Sequence, residues 1–258
     1  MGSKPRVITI ANQKGGIGKT TTATTITKIL SRMGYKALLI DTDVQCNSTD
    51  VYRAQMDGVA TIYDVLIADE RVPLKEAVQK TEAGEIVASD RLLVNADTVL
   101  KNDPVSGIFR LQDAMEDMKD YDYIIIDTNP TLNQLLYNCL VASDEVVIPV
   151  TADRFGLTGL NQLNETIQSV KSRPNKNLRI AGLLIIKYKD NMNLEKDVKK
   201  SLSEIAEQMD TKLFRTTIRE CVKVRESQAV RKPLTDYAPH CTSSRDYEAF
   251  VKELIKEG

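Results

Sequence analysis

Two hydrophobic patterns alternate along this chain: short continuous apolar runs, and longer segments with an apolar residue every three or four positions. The first is typical of strands buried on both faces of a sheet, and the second of amphipathic helices. The predicted strands are residues 7–11, 37–41, 92–95, 123–127, 145–150 and 180–186. A first helix follows the glycines after the first strand and ends at Gly34, and the later predicted helices are residues 62–68, 108–119, 132–141, 157–172, 194–209 and 243–256. Residues 56–85 mix polar and apolar positions without a clear period.

The order of these elements predicts the fold class. Strands that alternate with helices favour a doubly wound α/β fold, in which a mostly parallel sheet carries helices on both faces. Neither a Pro/Ser/Gly-rich linker nor an internal repeat interrupts the 258 residues, so we expect one domain over residues 1–258. Ser243 and Asp246 stand in capping-box spacing at the start of the last predicted helix.

A glycine-rich segment joins the first strand to the first helix. Residues 12–22 read Asn-Gln-Lys-Gly-Gly-Ile-Gly-Lys-Thr-Thr-Thr. Strand, glycine-rich turn and helix form the context of a phosphate-binding P-loop, because backbone N–H groups and the positive end of the helix dipole converge on an anion. In such a loop Lys19 supplies a charge to the β- and γ-phosphates, and the Thr20 hydroxyl is a ligand for Mg²⁺.

The segment departs from the general P-loop pattern in one informative way. The pattern G-x-x-x-x-G-K-[ST] requires glycine where Gln13 stands, and a second lysine, Lys14, precedes the glycines instead. This resembles the deviant Walker A motif of the ParA/MinD group of ATPases, and the resemblance extends from about residue 7 to about residue 254. It implies an ATP-bound homodimer in which Lys14 reaches the nucleotide of the partner subunit. The positions placed on the nucleotide are Lys14, Gly15, Gly16, Ile17, Gly18, Lys19, Thr20 and Thr21.

Acidic residues follow the second strand, where ligands bind in parallel sheets. Asp41 and Asp43 lie in the run Asp-Thr-Asp-Val-Gln-Cys-Asn. A carboxylate beside a phosphate-bound Mg²⁺ can orient water for in-line attack, although both residues could instead cap the turn. The resemblance assigns the water-positioning role to Asp43, which also holds the metal through water. Val44 replaces the proline that the family usually has.

The strand at 123–127 ends in a third candidate acid. Four apolar or aromatic residues followed by Asp127 form a Walker B pattern, which places a carboxylate next to the Mg²⁺ shell. The family commonly continues D-x-P-P, whereas this chain has Asn129 at the first of the two proline positions. The sequence therefore predicts a magnesium site formed by Thr20 and Asp127, with Asp43 acting through water.

Composition and charge restrict the partners. The formal net charge is −1, so attraction to nucleic acid requires a local basic patch. No apolar run approaches the roughly 20 residues of a membrane span, and four scattered cysteines without a C-x-x-C pair suggest reduced thiols in a cytoplasmic protein. Residues 212–232 carry seven cations opposed by two glutamates, and basic residues of this region contact DNA backbone in ParA relatives. The predicted DNA contacts are Arg219, Lys223, Arg225 and Arg231.

Taken together, the motifs of this chain resemble those of a short ParA/Soj-type ATPase. The resemblance implies ATP and Mg²⁺ as cofactors, hydrolysis at a sandwich dimer, non-specific DNA binding on the nucleoid and stimulation by a ParB-type centromere-binding protein. Two alternatives stay open. One is a MinD-like ATPase that cycles on membranes, which the three glutamates in the last helical segment disfavour. The other is a small-molecule enzyme of the dethiobiotin synthetase type, against which Lys14 argues.

Overall fold

A seven-stranded sheet forms the centre of the protein, seen in a computed structural model that describes residues 4–152, 157–189 and 194–256. The strand order is β3-β4-β2-β5-β1-β6-β7, and every neighbouring pair is parallel except β3 with β4. The strands are β1 (Arg6–Ile10), β2 (Ala37–Asp41), β3 (Val78–Lys80), β4 (Glu85–Val87), β5 (Tyr123–Asp127), β6 (Glu145–Thr151) and β7 (Arg179–Ile186).

Helices cover both faces of this sheet. They are α1 (Lys19–Arg32), α2 (Asn47–Tyr52), α3 (Ile62–Leu66), α4 (Ala96–Lys101), α5 (Arg110–Ala114), α6 (Gln134–Ala142), α7 (Leu157–Ser172), α8 (Leu194–Gln208), α9 (Val222–Ala229), α10 (Leu234–Tyr237) and α11 (Thr242–Lys256). Among the described residues, no helix has both the length and the apolar character needed to cross a bilayer. The predicted α/β P-loop fold is confirmed.

The core follows from the two-residue period of the strands. Ile8 and Ile10 of β1 pack in one cluster with Ile26 of α1 and Phe250 of α11. Val7, which directly precedes Ile8, belongs to a separate cluster on the other face of the sheet, with α3 and α6. The two clusters thus cover both faces of β1, which is why the run from Val7 to Ile10 is buried throughout.

Strand register brings the site residues together. Ile10 at the end of β1 lies opposite Asp127 at the end of β5, and Asp41 at the end of β2 lies opposite the same Asp127. Since these strands are parallel, the glycine-rich segment and both acidic strand ends meet at one edge of the sheet.

One predicted strand is wrong. Residues 92–95 lie within a 3₁₀ helix, Arg91–Asn95, whose N-terminus is capped by the Asp90 side chain. Leu93 is buried, whereas Leu92 and Val94 are 52% and 71% exposed, so the run is not apolar on both faces. The strand beside β2 is instead β4, which has only three residues and begins with a glutamate.

Several predicted helices have different bounds or different caps. The helix expected at 108–119 shortens to α5, and that expected at 62–68 ends at Leu66. The predicted capping box of the last helix is wrong, because its two side chains bind Arg219. The Ser243 hydroxyl donates to the Arg219 carbonyl (2.7 Å), and the Asp246 carboxylate accepts from the Arg219 guanidinium (2.6 Å). The short helices α2, α4, α9 and α10 were not predicted.

Candidate nucleotide-binding site

The glycine-rich loop has the backbone conformation that a phosphate cradle requires. Gly16 and Gly18 adopt positive φ angles of 66° and 108°, and a side chain at Gly18 would approach Ile186 Cδ1 to 3.0 Å. Two hydrogen bonds of the Asn12 side chain fix the start of the loop. The side chain donates to the Pro149 carbonyl (2.7 Å) and accepts from Lys14 N (2.8 Å). Only glycine is compatible with both the turn and the close approach at position 18.

Lys19 lies inside this loop. Its side chain starts in the first turn of α1, the residue is 6% exposed, and its Nζ lies 3.4 Å from the Lys14 carbonyl oxygen. Burial lowers the pKa of Lys19, while the charges of Asp127 and Asp43 act in the opposite direction. Among the described residues, the buried Lys19 ammonium has one long hydrogen-bonding contact, to the Lys14 carbonyl. A buried charge in this situation is stabilised when an anion binds beside it.

Asp127 is fully buried at the end of β5. Its Oδ2 accepts a hydrogen bond from the Ser48 hydroxyl at 2.8 Å, whereas its Oδ1 is buried and has no hydrogen-bond partner among the described residues. Burial raises the pKa of Asp127, and the Thr20 and Ser48 hydroxyls beside the carboxylate oppose that rise. An orphaned carboxylate oxygen close to a threonine hydroxyl fits an outer ligand of Mg²⁺.

The protein alone does not form a complete metal cage. Among the described residues, no group of three or more His, Cys, Asp or Glu side chains is arranged to hold a metal ion. Mg²⁺ usually takes one or two protein ligands and completes its octahedron with phosphate oxygens and water. Thr20 and Asp127 therefore fit a Mg²⁺ ion that arrives with a nucleotide.

Asp41 and Asp43 have different surroundings. Asp41 is fully buried and accepts hydrogen bonds from Asp43 N (3.0 Å) and from both N and Oγ1 of Thr49 (2.8 Å each). Asp43 lines a cavity of about 450 Å³ together with residues 15–21 of the loop. Asp41 thus holds the turn, while Asp43 lines the cavity beside the loop and accepts a hydrogen bond from Gln45 N (3.0 Å).

A layer of hydroxyl groups supports this turn. Thr49 Oγ1 accepts from Ser89 N (2.8 Å), and the Ser89 hydroxyl donates to the Asp43 carbonyl (2.7 Å). Sequence reasoning missed Thr49 and Ser89, and it missed Ser48 as the partner of Asp127. The polar run that follows Asp43 contains Ser48 and Thr49, whereas Ser89 lies far from it in sequence.

The Lys14 side chain runs away from the interior of its own loop. Its Nζ lies 3.2 Å from Thr151 Oγ1, at the end of β6, and Lys14 is not among the residues that line the cavity around Lys19. The two lysines therefore occupy different positions, with Lys19 buried in the cradle and Lys14 on its rim.

Comparison with known proteins places this geometry in a family. A profile described as "AAA domain" matches residues 5–180. The chain is 34% identical over 256 residues to the chromosome partitioning protein ParA of Caulobacter vibrioides, covering 97% of this chain and 94% of that protein. It is also 34% identical over 255 residues to the sporulation initiation inhibitor protein Soj of Bacillus subtilis, covering 98% and 99%. The chain belongs to the ParA/Soj family of partitioning ATPases.

Solved structures agree with this assignment. A plasmid partition protein of Borrelia burgdorferi bound to AMPPNP is 28% identical with a TM-score of 0.80, covering 98% of this chain and 99% of that one. Cobyrinic acid a,c-diamide synthase of Mycobacterium smegmatis with ADP and magnesium is 25% identical with a TM-score of 0.83, covering 98% and 95%. The fold therefore occurs both in partition proteins and in a biosynthetic enzyme.

In this ParA/Soj-family protein, a second cavity adjoins the phosphate loop. It measures about 240 Å³ and lies between Gly16–Gly18, the end of β7 and the start of α9. Lys187 donates to the Gly16 carbonyl (2.7 Å), and Gln228 of α9 donates to Thr21 Oγ1 (3.0 Å). Sequence reasoning missed both residues, because each is distant in sequence from the loop that it contacts.

The four predicted DNA-contacting residues lie before, within and after α9. Arg219 pairs with Asp246 (2.6 Å), Lys223 with Glu226 (2.7 Å) and Arg231 with Asp50 (3.1 Å). Arg225 is exposed on α9. The cations share one region of the surface, but most of them are matched by carboxylates.

Proposed function

We propose that this protein binds ATP with Mg²⁺, hydrolyses it at a sandwich dimer and binds DNA without sequence preference in the ATP-bound state. The observation that carries this proposal is the convergence of Lys19, Thr20, Asp43 and Asp127 on one phosphate loop, with Lys14 on its rim. The AMPPNP and the ADP with magnesium named for the two structural relatives support ATP and Mg²⁺ as the cofactors here.

Each residue of the loop has a defined task in this proposal. Lys19, already desolvated, pairs with the β- and γ-phosphates, while Thr20 and Asp127 hold Mg²⁺. When bound, the metal neutralises charge that develops on the phosphate oxygens. Asp43 orients the attacking water, because its carboxylate faces the cavity while Asp41 fixes the turn behind it.

Lys14 is the residue that makes the active site depend on a second copy of the chain. Its position on the rim, away from the interior of its own loop, supports a role across a dimer interface. A lysine that neutralises phosphate charge only when two protomers face each other couples assembly to nucleotide binding.

The basic region around α9 is the proposed DNA surface. Exposed ion pairs such as Lys223–Glu226 and Arg231–Asp50 are weak because water and salt screen them, so DNA phosphates can compete for the cations. Release of counterions from DNA then provides affinity without base recognition. Gln228 links this surface to the phosphate loop through Thr21.

The alternatives receive less support. A MinD-like membrane helix needs an available apolar face, whereas Tyr247, Phe250, Val251 and Leu254 of α11 are at most 2% exposed in the core. The similarity to cobyrinic acid a,c-diamide synthase supports a biosynthetic enzyme only through the shared fold, and a shared fold does not determine function. We propose that the protein acts in the cytoplasm on nucleoid DNA, with a ParB-type protein as its partner.

The direct test is ATP hydrolysis measured alone, with duplex DNA, and with DNA plus a small DNA-binding protein encoded next to this gene. We expect slow hydrolysis alone and stimulation when DNA and the partner are both present. Stimulation by a small acid substrate instead, with no response to DNA, would contradict the proposal.

A further inference from the structure

A hydrogen bond joins the end of β7 to the phosphate loop. The Lys187 ammonium donates to the Gly16 carbonyl at 2.7 Å, and the two residues are 171 positions apart in sequence. Lys187 directly follows Ile186, the last residue of β7, and it is exposed. The proposed nucleotide site gives no task to any residue of β7, so this contact requires a separate explanation.

The backbone around Lys187 is held in an unusual conformation. Lys187 has a φ angle of 53°, in the left-handed region that residues other than glycine seldom adopt. Residues held in this way cluster at functional sites. On one side Ile186 packs towards the loop, since its Cδ1 is 3.0 Å from the position of a Cβ atom built on Gly18. On the other side Tyr188 N donates to the Ile218 carbonyl at 2.9 Å. The point from which the lysine side chain starts is therefore fixed.

The Lys187 ammonium binds a carbonyl although a carboxylate lies in the same cavity. Glu220 and Lys187 both line the cavity of about 240 Å³ beside the loop. Glu220 pairs with Lys189 at 2.9 Å, and the hydrogen bond from that lysine is the main cause that lowers the pKa of Glu220. A charged donor makes a shorter and stronger hydrogen bond than a neutral one. The contact with Lys187 can thus hold the Gly16 carbonyl firmly.

The Gly16 carbonyl determines the direction of the next N–H group. The peptide that joins Gly16 to Ile17 is planar and trans, so its C=O and N–H bonds point in opposite directions. Residues 16–18 line two cavities, one shared with Lys187 and the other, of about 450 Å³, shared with Lys19. Because its carbonyl is held on the Lys187 side, this peptide directs the Ile17 N–H towards the side of Lys19, where the phosphates are proposed to bind.

Packing does not restrain Gly16 itself. Its φ angle is 66°, and a Cβ atom built on it would have no atom within 4 Å beyond its chain neighbours. Glycine allows several backbone conformations, so an unrestrained peptide at this position can rotate. A donor that must first be oriented costs binding free energy, whereas a donor oriented in advance does not. The hydrogen bond from Lys187 therefore provides a means of orienting the loop before a ligand arrives.

We propose that Lys187 is a positioning residue for a polyphosphate ligand: it holds the Gly16 carbonyl and so orients the Ile17 N–H to donate to a phosphate oxygen. In this role Lys187 contacts the loop, and neither the phosphates nor the nucleoside. The ligand class that it serves is a polyphosphate chain that fits the loop, with or without a base. The inference rests on the proposed ATP site and adds to that site a residue from a distant part of the chain.

The test is isothermal titration of the full-length protein with ATP and with inorganic tripolyphosphate, each in the presence of Mg²⁺. Lys187→Met removes the donor and keeps the aliphatic stem, whereas Lys187→Arg keeps a charged donor. Lys189→Met is the matched control, because it makes the same change in charge two residues away. Loss of one hydrogen bond from a charged group should weaken the binding of both ligands by the same factor, about tenfold, in Lys187→Met. Lys187→Arg should restore most of that affinity, and Lys189→Met should bind like the parent protein.

The two ligands and the salt concentration separate positioning from other roles. A lysine that only attracted phosphates from a distance would lose its effect at about 1 M salt, where the screening length is about 3 Å. The difference between Lys187→Met and the parent protein should persist there. Unchanged tripolyphosphate affinity in Lys187→Met, whether or not ATP affinity falls, would overturn the proposal. So would a difference that disappears at high salt, or a Lys187→Arg variant that binds as weakly as Lys187→Met.

NMR tests the orientation of the peptide without any ligand. In the nucleotide-free protein, the Ile17 amide signal of Lys187→Met should broaden or shift, because the peptide becomes free to rotate, and that of Lys189→Met should not. Lys187 is exposed, so the substitution leaves the core unchanged, and unfolding curves check this. An Ile17 signal identical to that of the parent protein would overturn the proposal even if ATP binds. Failure of the parent protein to bind either ligand would instead contradict the proposed ATP site.

Discussion

Gln228 of α9 donates a hydrogen bond to Thr21 Oγ1 at the start of α1, at 3.0 Å. The bond joins the helix that carries Lys223 and Arg225 to the helix that begins at the phosphate loop. It gives a physical connection between the nucleotide position and the basic surface. Thr21 is 8% exposed, so its hydroxyl depends on protein partners more than on water.

Gln228→Ala should weaken the coupling between ATP and DNA. A hydrogen bond contributes about 1 kcal/mol, so the ratio of DNA affinities with ATP and with ADP should fall about fivefold. Fluorescence anisotropy of a labelled duplex measures both affinities. Gln168→Ala is the matched control, because Gln168 is exposed and its hydrogen bond goes only to Asn164 on the same helix. An unchanged ratio in Gln228→Ala would show that the bond carries no coupling.

Lys19→Ala and Asp43→Ala should fail at different stages. Removal of Lys19 eliminates the buried charge on the β- and γ-phosphates, so ATP binding should be lost. Asp43→Ala should keep ATP binding and stop hydrolysis, because Asp43 lines the cavity and its carboxylate accepts a hydrogen bond only from its own turn, from Gln45 N (3.0 Å), and not from the glycine-rich loop, among the described residues. Isothermal titration and phosphate release measure the two stages. Equal loss of ATP affinity in both variants would rule out the water-positioning role.

Lys14→Ala should affect assembly more than binding by the monomer. The Lys14 amine lies near Thr151 on the loop rim, so its removal leaves the cradle around Lys19 intact. Sedimentation velocity should show an ATP-dependent dimer for the parent protein and a weakened one for the variant, at unchanged monomer affinity for ATP. Lys189→Ala, whose lysine pairs with Glu220 at the surface, serves as the control. An identical dimer without nucleotide would argue against the sandwich mechanism.

Asp127→Asn should stabilise the nucleotide-free protein while removing its magnesium site. Burial raises the folded-state pKa of Asp127 above its ordinary value, so ionisation of this carboxyl opposes folding. The parent protein therefore loses free energy of unfolding as the pH rises from the pKa of Asp127 in the unfolded chain through its pKa in the folded protein. The Asp127→Asn variant keeps that free energy, because its amide does not ionise. In urea unfolding, the free energy of unfolding of the variant should exceed that of the parent protein by on the order of 1 kcal/mol at neutral pH. The difference should become progressively smaller towards acidic pH. A gain that is largest at acidic pH would contradict the assigned cause.

The sequence was most informative where a local pattern determines the chemistry. The P-loop glycines and Lys19 follow from a strand, a turn and a helix that are contiguous in the chain, and Asp127 follows from the apolar run that it ends. The three-residue strand β4 and the 3₁₀ helix at residues 91–95 were not predictable in the same way, because runs this short have too few positions to reveal a period. Gln228 could not be found either, since its partner lies at the opposite end of the chain.

Acidic residues were the other weak point of sequence reasoning. Asp41 and Asp43 are two positions apart in one polar run, and only the hydrogen bonds from Thr49 separate the buried support from the residue that faces the cavity. The ion pairs of Arg219 and Arg231 likewise join residues that are distant in sequence. A count of local charge therefore overestimates how many cations are available without competition.

The basic surface should depend on α9 specifically. Lys223→Glu with Arg225→Glu should remove DNA binding and leave ATP affinity unchanged, because both residues are exposed and neither contacts the cradle around Lys19. In the parent protein, each neutralised phosphate should add about −0.9 to the slope of log affinity against log salt. Lys171→Glu with Arg173→Glu, at the end of α7, is a control with the same change in charge. Equal DNA binding by the two double variants would refute this placement.

The central claim is that ATP switches this protein onto DNA. Anisotropy of two labelled duplexes of unrelated sequence, titrated at low salt with protein that carries ATP, ADP or no nucleotide, tests it most directly. Asp43→Ala with ATP keeps the nucleotide intact during the titration, and vesicles of anionic lipid serve as the competing surface. The account predicts equal binding of both duplexes in the ATP state alone and no binding to vesicles. DNA affinity that is the same in all three nucleotide states, or absent in each of them, would contradict it.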